Sequence, residues 1–423
     1  MSSPIVLKSH TFCGHTPPQE EISVTTMSDT YSQDQKERLI RFMLMCDDRE
    51  TPEIECGPPA CFWRGGVFKY SGYCRMNRNT TRGLTKKGMN VRLSSYVGEI
   101  DFGLDQAVEF IQMSKNVIPV NSPLVCGSVA SSPAPGTVVH WTMCESHTKV
   151  NPSFVNTLNH ADEIWVPTDW QKKQFESEGV KPPIRTMPLG VDPDIYKPSK
   201  TELIYSSGTK SFVFLSCFAW SWRKSPEVLI RAFVRAFDKN DDVTLVVMSK
   251  SIDGFADIDA EIHNFLLGEK KAFPHIVVCE EVVPEDVMPH VYSAADVFTL
   301  FPRGEGWGLP FCEAAACGTP LLGSRCTGHA VLFDEADTLF VEPDRVVPAP
   351  YEMISFSDVY KETDFCDFSD SVIDEAAEKM RFLYENPEKA KEMGKACRDR
   401  IISTYPWDRT TEMVYNRLME LQP

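Results

Sequence analysis

Positive charge is scarce in this 423-residue chain: 43 Lys and Arg stand against 60 Asp and Glu, a net charge of −17. Such a balance repels a polyphosphate backbone unless the cations are gathered on one face, so general nucleic-acid binding is disfavoured. Long apolar runs are also missing. The longest charge-free stretch, Asn116 to Cys144, holds Pro119, Pro123, Pro133 and Pro135 with many serines, and it reads as loop and strand rather than a membrane span. Near the start, the run PIVL is interrupted by Lys8, so no signal-peptide core is seen and a cytoplasmic chain is expected. No G-x-x-x-x-G-K-[ST] occurs, which excludes a P-loop. None of the fourteen cysteines forms a C-x-x-C pair. Several lie in apolar runs (Cys217 in FVFLSCF, Cys279 in HIVVCE) and read as reduced, buried thiols. Cys46, Cys56, Cys61 and Cys74 are spaced by ten, five and thirteen, which matches no zinc knuckle, and no metal centre is expected.

The remaining composition is that of an ordinary globular protein, with 42% hydrophobic and 24% charged residues, and its length suits two to three domains. Residues 1–57 show no sustained apolar period and read as an extension of unknown role. From residue 58 to 190, strand-like runs (ACFW, VRLSSY, GTVVHWTM, EIWVP) alternate with helical ones, starting with Cys74 to Lys87. Residues 191–210 have the prolines and serines of a linker. Alternation then restarts over 211–404, with strands SFVFLSCF, VTLVVMS, HIVVCE, VFTLF, TPLLGS and TLFVE. The acidic, aromatic segment 351–372 interrupts it, and a last helix spans about 405–423. Apolar strands separated by helices require right-handed crossovers and a parallel sheet covered on both faces. The expected class is therefore α/β, with two doubly wound, Rossmann-like domains facing across a cleft.

The stretch FPRGEGWGLPFCEAAACGTP (301–320) carries the most chemistry. A strand ends at Phe301, Gly304, Gly306 and Gly308 keep the turn free of side chains, and Pro310 suits the first turn of a helix that stops at Gly318. Backbone N–H groups at such a turn, with the helix dipole behind them, suit phosphate oxygens. Glu305 in the turn and Glu313 in the helix face one pocket. Acids that merely complement the dipole would account for one carboxylate, at about 0.3–1 kcal/mol, but not for three glycines. A dinucleotide fingerprint fits worse, because the turn follows several strands of its domain and no acidic residue ends the next strand. Further upstream, Arg223 and Lys224 precede a helix with Ser225 as N-cap and Pro226 at its first position. Cations beside a helix N-terminus oppose its dipole, a mildly costly placement unless an anion binds there. Arg303 is a candidate third cation, although a strand-end arginine is more often a surface residue.

These residues resemble a known family. Glu305 and Glu313 in GEGWGLPFCEAAACGTP match the E-x7-E signature of retaining GT-B glycosyltransferases of the family-4 type, the glycosyl transferases group 1. The blocks VPEDVMPHVYSAADVFTLFPR, HADEIWVPTDWQKKQF, PLGVD and YSGYCRMNRNTTRGLTKKGMNV are similar to other parts of that family, over roughly 58–423. The resemblance implies two GT-B domains: 58–190 for the acceptor and 211–404 for a nucleotide diphosphate sugar, with the C-terminal helix returning to the first. It implies that Glu313 holds the donor ribose and Glu305 the donor sugar. Arg223 and Lys224 would take the diphosphate, with the backbone of Gly306, Trp307, Gly308 and Leu309 close by. Gly72 belongs to the first-domain glycine loop, and the base is expected around Glu281 to Val283. Two departures stand out: Ala219 or Phe218 replaces an arginine common before the lysine, and Cys74 replaces a third loop glycine. At the acceptor edge Glu145 is the first choice, with His140 and His147 as alternatives; a lone histidine on a strand is more often a core residue.

The expected function is retaining transfer of a hexose from a nucleotide diphosphate sugar to an acceptor hydroxyl, with no cofactor and no metal. Asp192 and Asp194 have a metal-binding spacing but lie in a turn. A non-catalytic glycosyltransferase-like subunit is the alternative; it would lack one of the two glutamates or the Arg-Lys pair, and all are present. A phosphorylase of the same scaffold needs a pyridoxal-bearing lysine that no motif supplies. From Arg64 to Arg92 the chain has eight basic residues and no acidic one, so an anionic acceptor, or peripheral contact with an anionic surface, is expected through Arg75 and Arg78. Base, sugar, acceptor identity and oligomeric state are not encoded in these motifs.

Overall fold

The computed structural model describes residues 4–12, 54–55, 59–65, 67, 71–94, 116–117, 124–127, 136–251, 256–269 and 272–422. Six short, apolar strands build the first sheet: β1 (Ala60–Arg64), β2 (Asn90–Ser94), β3 (Leu124–Gly127), β4 (Thr137–Trp141), β5 (Glu163–Val166) and β6 (Ile184–Thr186). All pairings are parallel, in the order β2-β1-β3-β4-β5-β6, which the crossover helices require. Helix α1 (Gly72–Lys86) follows β1, α2 (Pro152–Leu158) follows β4 and α3 (Asp169–Ser177) follows β5. Each starts on a side-chain cap. Ser71 accepts from Cys74 N at 3.3 Å, Asn151 from Phe154 N at 2.9 Å and Thr168 from Gln171 N at 3.2 Å. Trp63, Trp141 and Trp165 fill the core in edge-on contacts 5.8 to 6.3 Å apart.

The second sheet contains β7 (Phe212–Trp220), β8 (Val243–Ser251), β9 (His275–Cys279), β10 (Val297–Leu300), β11 (Leu321–Ser324) and β12 (Leu339–Val341). They run parallel in the order β9-β8-β7-β10-β11-β12. Helices α4 (Pro226–Ala236), α5 (Ile258–Phe265), α6 (Met288–Ser293) and α7 (Leu309–Ala316) alternate with them. Strand order reverses between β1 and β3 in the first sheet and between β7 and β10 in the second. In open α/β sheets such a reversal is where loops part and ligands bind. After β12 come β13 (Arg345–Pro348), α8 (Tyr351–Phe356) and β14 (Asp364–Asp367), then α9 (Asp370–Glu385), α10 (Pro387–Thr404) and α11 (Trp407–Glu420). No described helix is long and apolar enough to cross a membrane.

The amino-terminal residues differ from the sequence expectation. Ile5–Leu7 pairs in parallel with Leu203–Tyr205, inside the segment read as linker, and His10–Thr11 adds antiparallel to the β9 edge. Part of the extension thus completes the second domain. Runs of two or three residues are too short to show a strand period, and an open sheet edge supplies the missing partner. Most of the rest of the extension lies outside the described residues.

Helix α11 returns to the first domain. Chain crossing is fixed by backbone bonds from Val191 N to Tyr405 O (2.9 Å) and Trp407 N to Val191 O (3.1 Å). Gly83 of α1 gives room to Thr411, against whose side chain a Cβ would overlap. Arg417 grips Glu163 at the start of β5 in a two-point pair, Nη2 to Oε2 at 2.5 Å and Nε to Oε1 at 3.0 Å, and Trp165 Nε1 donates to Oε1 at 2.7 Å. Burial disfavours the Glu163 carboxylate, but the hydrogen bonds from Arg417 and Trp165 outweigh it and hold its pKa below the ordinary 4.5. A depressed pKa means stability present above about 4.5 and lost as pH falls through the folded value. Arg417→Met should therefore cost about 1–3 kcal/mol at neutral pH. The gap in Tm from wild type should narrow as the pH drops below the glutamate range. An equal gap at all pH values would show that the pair does not hold the helix.

Candidate functional site

The second domain's reversal point supplies the first half of the site. Strand β7 ends at Trp220, and a single 3-10 turn, Trp222–Lys224, carries the two cations before α4 begins. Ser225 takes the N-cap position, yet its φ of 51° is left-handed and its hydroxyl caps nothing. Instead that hydroxyl accepts from Arg303 Nη1 at 3.1 Å, a correction to the expected N-cap bond. Arg303 is no third ligand cation and no surface residue. It is 6% exposed, donates to the Trp222 carbonyl at 2.8 Å, pairs with Asp367 at 2.9 Å and with Glu227, and stacks 4.3 Å over the Trp222 ring. Its charge is consumed in holding the turn.

Arg223 and Lys224 both meet Glu305. Arg223 Nη1 lies 3.2 Å from Glu305 Oε1 and donates to the Gly304 carbonyl at 2.6 Å, and Lys224 Nζ contacts the same Oε1. Lys224 is 9% exposed; burial and the neighbouring guanidinium push its pKa well down, against the pull of nearby carboxylates. The Glu305 backbone is locked from the next loop. Thr327 Oγ1 accepts from Glu305 N at 2.7 Å and donates to its carbonyl at 3.0 Å, and Gly328 N donates to that carbonyl at 2.9 Å. Thr327 has φ 53°, a conformation a threonine holds only where its surroundings dictate it.

The three glycines have two different reasons. Gly308, at φ 81°, opens α7 with no side-chain cap, and its bare Cα lies over His329. His329 stacks on Phe311, donates from Nε2 to Ser324 O at 2.9 Å, and burial holds its pKa at about 3, so the ring stays neutral. Gly304 and Gly306 instead admit the other domain. A Cβ on Gly304 would overlap the Glu145 carbonyl oxygen, and one on Gly306 the Met143 side chain. Gln171 ties the same junction by donating to Cys144 O and Gly306 O, both at 2.9 Å. Of the other turn residues, Trp307 turns its indole into the core against Tyr405 and Leu309 is buried. Leu309 Cδ1 would lie 3.6 Å from a Cβ on Gly72, so the starts of α1 and α7 face each other.

Glu313, 2% exposed, accepts from the Tyr292 hydroxyl at 2.9 Å and from Arg75 of α1. Glu285, in the loop after β9, meets Arg75 Nε at 3.3 Å and Arg78 Nη2 at 3.4 Å. Arg78 is buried and also donates to Val67 O at 2.8 Å. The two arginines expected to reach an anionic acceptor are thus spent on Glu313 and Glu285 across the cleft. A charge count along the chain does not see acids that approach from another domain. Val283 is packed in the apolar core, two residues from Glu285.

On the first domain, Glu145 Oε1 pairs with Arg223 Nη2 at 3.1 Å, and its Oε2 accepts from the Tyr360 hydroxyl at 2.7 Å. His140 is 4% exposed within β4, edge-on to Phe154, and His147 Nδ1 lies 3.3 Å from Cys366 Sγ. Of the three edge candidates, Glu145 is the one that joins the cation pair. The segment β13–α8–β14 clasps the same loop: Asp364 accepts from Thr148 N at 2.7 Å and Lys149 N at 3.0 Å, and Asn151 Nδ2 donates to Asp358 O and Lys361 O. Tyr292, Thr327, Tyr360, Gln171 and Glu285 were not singled out in the sequence; Glu285, Tyr292 and Gln171 lie in blocks that carry the family resemblance, which gave them no individual role.

Residues 209–354 match the family model described as Glycosyl transferases group 1. Among curated proteins, the chain is 30% identical over 189 residues to D-inositol 3-phosphate glycosyltransferase of Corynebacterium jeikeium, covering 42% of this chain and 44% of that protein. It is 28% identical over 181 residues to the enzyme of the same name from Thermobifida fusca, covering 40% of each. The matched part spans less than half the length of these relatives. Among solved structures, Anabaena HepE in complex with UDP and glucose superposes with a TM-score of 0.62 at 14% identity, over 85% of this chain and 99% of that one. Sucrose-phosphate synthase from Thermosynechococcus elongatus gives 0.61 at 14%, over 86% and 98%. At such identities the likeness is one of fold, and the fold is GT-B.

Replacing Gly304 by Ala should force the Glu145 loop away from the glycine turn. Amides 143–149 should then exchange with deuterium faster, while those of β7 and β8 keep their protection. Unchanged exchange at 143–149 would mean that the close approach does not hold the domains together.

Proposed function

We propose that this chain, which carries a glycosyl transferases group 1 domain on a GT-B fold, is a retaining glycosyltransferase that moves a hexose from a nucleotide diphosphate sugar to an acceptor hydroxyl. The observation that carries the reading is the seat formed by Arg223 and Lys224 around a carboxylate oxygen at the β7/β10 reversal point. Two cations converging on one anionic oxygen, beside the uncapped start of α7, form a place for a diphosphate. On donor binding, phosphate oxygens take the bonds that Glu305 and Glu145 now accept, and those carboxylates turn to the sugar hydroxyls. Glu313, anchored by Tyr292, exchanges Arg75 for the ribose diol. HepE, whose fold this chain shares, holds UDP and glucose, which makes uridine diphosphate sugars the first donors to test. The curated relatives are named for D-inositol 3-phosphate, which makes it the first acceptor.

In this reading the bond from the anomeric carbon to the leaving phosphate oxygen breaks as the acceptor oxygen arrives on the same face. The acceptor proton passes to that phosphate oxygen. No side chain need form a covalent intermediate. Arg223, Lys224 and the α7 amides stabilise the charge that grows on the diphosphate, the main catalytic effect.

Glu313→Gln should weaken donor binding by about 1.5–3 kcal/mol, roughly ten- to a hundredfold in Kd, because an amide loses charge-assisted bonds to a diol. Glu305→Gln should lower kcat more than donor affinity. Calorimetry with UDP and UDP-glucose checks both, and unchanged affinity in the Glu313 variant would remove it from the ribose. Because side-chain cations serve the diphosphate, transfer should continue in excess chelator. Complete loss, restored by magnesium or manganese, would overturn that part, and an inverted anomer in the product's NMR spectrum would overturn retention.

A further inference from the structure

A pocket of about 410 Å³ opens beside Glu145, on the first domain's side of the cleft. Its walls come from four places: Tyr73 at the start of α1, Met143 just past β4, Phe154 in α2, and Val359 with Tyr360 from the segment between β13 and β14. Glu145 joins it to the proposed donor seat, because the carboxylate lining this pocket is the one paired with Arg223. A group bound here adjoins the residues assigned to the donor diphosphate.

The lining is mostly apolar and aromatic, and among the described residues it includes no lysine and no arginine. Its acid is Glu145, and its histidine, His140, is buried in the strand. The nearby arginines have partners with or without donor: Arg223 holds Glu145, Glu305 and the Gly304 carbonyl, or the diphosphate in the proposed complex, while Arg75 and Arg78 keep Glu285 when Glu313 turns to the ribose. A phosphate in the pocket would meet the Glu145 carboxylate, and no lysine or arginine stands among the described lining residues to offset that like-charge contact. An uncharged hydroxyl meets an acceptor in Glu145, and aromatic walls suit the C–H face of a ring.

Resting on the glycosyltransferase reading, we infer that the acceptor is an uncharged, hydroxyl-bearing ring with an apolar face or substituent. The inference departs from both the anionic acceptor suggested by the basic run and the phosphorylated acceptor in the relatives' names. Saturation-transfer NMR and transfer assays on the full chain test it with phenyl β-D-glucoside and myo-inositol as uncharged probes and D-inositol 3-phosphate as the charged one. Tighter binding and higher kcat/KM for an uncharged probe are expected. A preference for D-inositol 3-phosphate, or no binding of either uncharged probe at millimolar concentration, overturns the inference. Val359→Lys adds a cation to the pocket wall contributed by the second domain. It should shift the ratio of the two affinities about tenfold toward D-inositol 3-phosphate over phenyl glucoside. No gain for the phosphate would show that pocket charge does not select the acceptor, and also overturns the inference. Calorimetry with UDP-glucose on the same samples reports separately on the donor reading, since failed donor binding sinks that reading whatever the acceptor order.

Discussion

Arg223 is the side chain through which Glu305 and Glu145, charged groups of the two domains, meet. Its guanidinium reaches Glu305 and the Gly304 carbonyl on its own domain and Glu145 on the other. A planar fork with several fixed donors can do this, whereas a lysine of similar length offers one compact charge. The three partners constrain one another. Glu305 is fixed by Thr327, Gly304 lets the Glu145 carbonyl approach, and Glu145 is steadied by Tyr360. Take the guanidinium away and Glu305 keeps Lys224, but Glu145 loses its cation and the bond that reaches from one domain to the other. Domain closure and the charge state of the site are therefore coupled through this side chain.

Every charged group proposed to touch the donor already has an internal partner of opposite sign. Glu313 has Arg75, Glu305 has Lys224 and Arg223, and Glu145 has Arg223. In the proposed reaction, binding is then an exchange of partners among groups already withdrawn from water, and much of the desolvation cost is met in folding. The same pairing explains how a chain of net charge −17 could offer the proposed anion seat: Arg223 and Lys224 converge at the β7/β10 reversal, and acids hold them in place.

What the sequence made legible was local. Strand, glycine turn and helix follow one another within residues 301–320, so periodicity and Pro310 sufficed to place Glu305 in the turn and Glu313 in the helix that follows. Alternation of apolar strands with helices was enough for the doubly wound class. What it hid was brought together by tertiary structure. Tyr292, Glu285, Thr327 and Tyr360 reach the site from separate loops and helices, and even the quoted block that holds Glu285 and Tyr292 does not show which of its residues turn inward. Arg303 read as a spare cation because Asp367, its counter-charge, lies far along the chain. Arg75 and Arg78 read as free for the same reason. The short amino-terminal strands acquire meaning only from the edges that receive them.

The segment from β13 to β14 shows how closure and recognition are linked. Asp364 and the carbonyls of Asp358 and Lys361 hold the loop from Thr148 to Asn151, while Tyr360, between them, reaches Glu145 and walls the pocket. One face of that pocket therefore comes from the second domain and the rest from the first. If the domains separate, Tyr360 and Val359 leave with the second domain, and the remaining face is an open apolar surface with a carboxylate at its edge. Such a surface has little means of selecting a ring, since the facing wall and the Tyr360 hydroxyl are gone. The pocket beside Glu145 is thus assembled by the same contacts that bring Glu145 to Arg223, and its geometry is available only in the closed arrangement that completes the charge cluster.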